Sequence, residues 1–134
     1  MDLSQLNFLA IIVAAVSAFF LGGFWYSRAC FGKIWMAETG ITEDKAAQAN
    51  MAKTFGFAFL ASLIITFNLA MFLGPHSTFA TGAFYGFLAG FGWVAMAFGI
   101  NDLFEQRSLK LFLVNAGYHT VSFTLIGAIV GGWH

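Results

Sequence analysis

Apolar residues in this chain run in long blocks, without the alternation of a strand or the stripe of a soluble helix. Four blocks stand out, over 6–26, 55–73, 79–100 and 109–133. Each is close to the ~20 residues that cross a hydrocarbon layer of ~30 Å. Lipid cannot satisfy backbone polar groups, so each block is expected to be a helix. The fold class expected is all-α: a four-transmembrane-helix bundle, one integral membrane domain over 1–134. A secretory signal is the rival for the first block, but no Lys or Arg precedes it. A lipoprotein site at Ser27-Arg28-Ala29-Cys30 is opposed by Arg28 and by a missing leucine.

Polar segments supply the punctuation. Phe31, Ile34 and Trp35 fall at i, i+3, i+4 and predict a short interfacial helix in the first connector. Gly40 ends it. Thr42 then caps a second short surface helix over 43–50, with Glu43 and Asp44 in its favourable first turn. Gly74-Pro75 stops the second span, and Ser108 caps the fourth.

Composition strengthens the membrane reading. Of 134 residues, 60% are hydrophobic and 9% charged, and mean hydropathy is +0.80. A soluble domain holds roughly 45–50% apolar and about 25% charged residues. Net charge is zero, and no basic patch or motif points to nucleic acid. A lone Cys30 cannot form an internal disulfide or, by itself, a cysteine-based zinc site.

Charge placement sets the expected orientation. Arg28, Lys33, Lys45 and Lys53 separate spans one and two; Arg107 and Lys110 adjoin the third connector. The N-terminal segment, the middle connector and the C-terminus carry neither residue type. Connectors 27–54 and 101–108 are therefore expected in the cytoplasm, and both termini outside the cell (inner) membrane. Trp25, Tyr26 and Trp35 would join the inner aromatic belt, and Trp133 the outer one.

Small residues predict packing. Gly82, Gly86 and Gly90 recur every four residues in the third span, Gly127 and Gly131 in the fourth, and Ala14, Ala18 and Gly22 in the first. Such rows let backbones approach closely, inside one bundle or between copies in a homo-oligomer.

Candidate chemistry is sparse. His119 is the one ionisable group besides tyrosine well inside a span, and such a residue is a functional candidate by default. Asn115 lies four residues before it, on the same face. A neutral imidazole both donates and accepts, so it can relay a proton or hold a polar ligand. Tyr118, Trp93 and Asn68 are the other residues expected around that site. A purely structural bond from His119 to Asn68, Thr66 or a span-three carbonyl is the competing reading. No cofactor is predicted. Bis-histidine haem would need a second histidine at similar depth, and His76 and His134, expected outside near Asp2, offer only a weak metal site. On the inner rim, Arg28, Lys33 and Arg107 could hold an anion or lipid headgroup, with Asp102 and Glu105 pairing across the connectors. The expected partners are the bilayer, further copies of the chain, and a small solute or headgroup.

Several stretches together carry a resemblance: Gly23-Phe24-Trp25-Tyr26-Ser27, Phe31-Gly32-Lys33-Ile34-Trp35, Phe104-Glu105-Gln106-Arg107-Ser108-Leu109-Lys110-Leu111 and Asn115-Ala116-Gly117-Tyr118-His119. The chain resembles a family of small, mostly bacterial, four-span membrane proteins catalogued as a domain of unknown function. The resemblance implies the four-span fold and supplies no reaction and no functional residue. The function expected is a small oligomeric permease or channel-like subunit using Asn115 and His119. The alternatives are an accessory protein that associates through its glycine rows and, last, a lipid-acting enzyme, for which paired carboxylates or a nucleophile with its base are missing.

Overall fold

The computed structural model describes residues 3–134, and Asp2 lies outside them. After a single 3-10 turn at Leu3–Gln5 come α1 (Phe8–Trp25), α2 (Gly32–Thr39), α3 (Glu43–Ala47), α4 (Met51–Leu73), α5 (Phe79–Ala89), a π segment (Gly90–Ala95), α6 (Met96–Phe104) and α7 (Leu109–Gly132). The described residues hold four helices long and apolar enough to cross a membrane: α1, α4, the continuous run from α5 to α6, and α7. The short helices α2 and α3 lie between the first two.

Local chemistry explains the boundaries. Side-chain oxygens of Asn7, Thr42, Asn50 and Ser108 accept from backbone N–H groups in the first turns of α1, α3, α4 and α7. Thr78 and Thr81 cap α5 reciprocally. Gly40 ends α2 in the left-handed helical conformation, at φ 75° and ψ 8°, and Gly74 ends α4 at φ 78° and ψ 177°, a backbone shape open mainly to glycine. Three predicted limits move. The Asn50 cap lets α4 start at Met51 instead of 55 and cuts the second surface helix at Ala47. The third span runs past 100 to Phe104, which puts Asp102 on a helix and not in a connector.

The fourth span, α7, is the centre of the bundle, packing against α1, α4, α5, the π segment, α6 and α2. Ala14, Ala18, Leu69, Ala70, Ile126 and Val130 of α1, α4 and α7 form the buried core. Two glycine rows meet across α5 and α7. A Cβ on Gly82 would run into the carbonyl of Gly127, and one on Gly86 into that of Phe123. A Cβ on Gly131 would lie 2.7 Å from the Cα of Gly82. Both rows are thus used inside the chain and are not free to seat another copy. By contrast α4 and α5 touch only sparsely, and a gap opens between them.

The π segment changes which residues face α7. In a regular helix the row Gly82, Gly86, Gly90 would continue near Val94 and Ala97. Here the wider turn absorbs one residue. The buried positions that follow are Ala95 and Asp102, with Phe98 partly covered between them.

Candidate functional site

The five residues expected around one polar site divide among three places. Asn115 and Tyr118 face α1. The Tyr26 hydroxyl donates to Asn115 Oδ1 at 2.8 Å, and the Tyr118 hydroxyl donates to the Ala18 carbonyl at 3.0 Å. Trp25 Nε1 donates to the Val114 carbonyl at 2.9 Å, so this indole is bonded to α7 and not to interfacial water. Tyr26 packs edge-on against Trp35 and Tyr118. The result is an aromatic clamp between the end of α1 and α7.

His119 looks toward α6, with its ring stacked on Phe98 at 5.1 Å and edge-on to Tyr118 at 5.0 Å. The ring makes no hydrogen bond to any described residue. The expected bond to Asn68, Thr66 or a span-three carbonyl does not form. Thr66 is fully buried and donates to the Ser62 carbonyl of its own helix at 2.7 Å.

Asn68 and Trp93 lie elsewhere, on the wall of a groove of about 610 Å³ between α4, α5 and α7. Trp93 is 71% exposed because the π segment swings it off the α7 side. It therefore does not shape a pocket with His119. The groove is otherwise lined by Ile65, Leu69, Phe72, Tyr85, Leu88, Ala89 and Phe123. Exposed Phe72, Tyr85 and Leu88 show that it opens sideways. Its volume falls in the roughly 300–1,000 Å³ range of small-molecule sites, and an apolar wall with a few polar groups is their usual chemistry. Tyr85 and Phe123 were not singled out from the sequence. Within a continuous apolar run nothing marks them, and only the splay of α4 from α5 brings them together.

At the end of the bundle that carries connectors 27–54 and 101–108, each arginine is engaged within its own connector. Arg28 pairs with Glu43, and Arg107 Nε donates to Glu105 at 3.0 Å. No ion pair among the described residues crosses between the connectors, so charge does not tie the hairpins together there. Lys33 is exposed. Asp102, expected on a solvated rim, is 7% exposed, and its Oδ2 has no partner. The extension of the third span carries it inside. At the opposite end His134 Nε2 lies 2.8 Å from the Ser77 carbonyl. No group of three metal-ligating side chains occurs among the described residues.

Residues 9–131 match the family described as "Protein of unknown function (DUF1761)". The chain belongs to this family. Comparison with curated proteins and with solved structures returns no match. Membership in DUF1761 assigns no reaction.

Proposed function

We propose that this DUF1761 protein is a small permease-like carrier that takes its ligand sideways from the bilayer. The observation that carries the reading is the groove between α4 and α5, apolar, open to lipid and large enough for a small molecule. The close backbone packing of α5 on α7 leaves no room for a path between those helices, which favours lateral over axial access. The orientation that goes with this reading puts both termini outside and the connectors 27–54 and 101–108 in the cytoplasm, on the distribution of Lys and Arg.

A second reading keeps the polar step at His119 and Asn115. Neither the His119 ring nor the Asn115 amide nitrogen has a hydrogen-bond partner among the described residues, so both can serve a polar solute. One comparison separates the two. Ala89→Trp fills the groove, and His119→Ala removes the ring. Each variant is reconstituted in vesicles, and small molecules retained by the protein, lipid-soluble or polar, are identified by native mass spectrometry. Loss of retained molecules in Ala89→Trp, with His119→Ala unchanged, is the outcome expected. The reverse pattern would favour the polar site.

A further inference from the structure

Three polar groups on the groove wall lack partners. The Asn68 carboxamide, the Tyr85 hydroxyl and the Trp93 indole N–H make no hydrogen bond to any described residue. In hydrocarbon no water relieves them, and a plain acyl chain has nothing to offer. A tryptophan N–H only donates, a tyrosine hydroxyl donates readily, and an amide offers two N–H groups. The Asn68 amide and the Tyr85 hydroxyl also bear acceptor oxygens, but the four N–H and O–H donors outnumber them, so the groove favours a ligand bearing acceptor oxygens.

Charge and depth narrow the class further. No ionisable carboxylate, amine, guanidinium or imidazole lines the groove. Asn68 is five residues before the end of α4 at Leu73, and Tyr85 six residues after the start of α5 at Phe79. At 1.5 Å per residue both lie about 8–9 Å inside their helix ends. They share one depth, beneath the zone of charged headgroups. Trp93 stands eight residues beyond Tyr85, toward the other face of the membrane. Four of the nine lining residues are aromatic, Phe72, Tyr85, Trp93 and Phe123, and aromatic faces favour a flat ring.

Resting on the reading of the groove as a lateral binding site, we propose that it binds a quinone-like molecule: an uncharged flat ring bearing carbonyl oxygens on an apolar tail. Asn68 and Tyr85 donate to a carbonyl at one end of the ring, oxygens at its other end face the Trp93 indole N–H, and the tail leaves through the open side of the groove. An isoprenoid alcohol shares the tail and offers one oxygen without the flat ring. A hydrocarbon such as squalene offers neither.

The test uses the full chain in lipid nanodiscs and the Trp93 fluorescence, taken as the difference between wild type and Trp93→Phe. Ubiquinone with two isoprene units is the titrant, and farnesol and squalene are competitors. Quenching by the quinone should saturate. Asn68→Leu and Tyr85→Phe should each weaken it about tenfold, since each removes one of the two donors to that carbonyl, while helical circular dichroism stays unchanged. Farnesol should compete at least about tenfold less well, and squalene less again. If farnesol or squalene competes as well as the quinone and Asn68→Leu has no effect, the ligand class is wrong and the lateral site stands. Quenching that never saturates, with no competition from any probe, overturns both.

Discussion

At the scale of single residues, the tightest constraint is the missing side chain at Gly82 and Gly86. Backbone carbonyls of α7 occupy the space a Cβ would need, and backbone cannot swing aside as a long side chain can. Gly82→Ala and Gly86→Ala are therefore each expected to cost about 1–3 kcal/mol or more, as overpacking does. Gly92 is the control, because a Cβ there meets nothing within 4 Å. Gly92→Ala should leave stability unchanged within about 1 kcal/mol. Thermal unfolding in detergent, followed by circular dichroism, separates the two classes; equal losses at all three sites would contradict the packing described. The Tyr26–Asn115 bond is a milder case. Tyr26→Phe keeps the ring packing against Trp35 and removes only the 2.8 Å donor. A cost of about 0.6 kcal/mol, at most about 1.7, is expected, as for other hydrogen bonds between membrane helices. A double-mutant cycle with Asn115→Ala isolates that coupling from the loss of packing.

At the scale of elements, the caps and breaks were legible in the sequence because their chemistry is local. Thr42, Ser108, Gly40 and Gly74–Pro75 each act within a turn of their own position. The glycine rows were legible too, since a four-residue repeat marks one helix face. The π segment was not. In a soluble helix an absorbed residue shifts the boundary between apolar and polar faces, but here Gly90 to Ala95 is apolar all round, so no phase shift is visible. That is why Trp93 was expected beside His119 and is instead found on the groove. The groove was hidden for a related reason, because it depends on how far α4 leans from α5. The π segment leads to a specific expectation. Deleting Gly92 restores a regular helix in which Gly82, Gly86, Gly90 and the residue now at 95 share one face. The variant should fold with near wild-type helicity, since the α7-facing row is preserved. The indole of Trp93 should leave its place on the groove wall, which a change in its quenching by brominated lipid measures. An unchanged quenching pattern would mean that the π turn does not set the position of Trp93.

At the scale of the whole molecule, an even number of spans makes orientation a single choice. If one charged connector is inside, the other is too, and both ends share the opposite side. Six basic residues lie in or beside those two connectors, and none lies in the middle connector or at the ends. Internal pairing leaves this bias in place. The Arg28–Glu43 and Arg107–Glu105 pairs form within single connectors, and acidic residues contribute little to orientation. On the proposed lateral reading, the choice also fixes which leaflet would feed the groove. Asn68 and Tyr85 lie near the ends of α4 and α5 that meet at the middle connector. With that connector outside, the polar end of the groove opens to the outer leaflet. Reporter insertions after Gln48 and after Gln106 should both report the cytoplasm, and one after His76 the outside. Neutralising Arg107 and Lys110 while placing two lysines at Ser77 and Thr78 should weaken the bias enough for a measurable fraction to insert the other way. Wild-type insertions at Gln48 and Gln106 on opposite faces would break the four-span arrangement, because an odd number of crossings would then separate them.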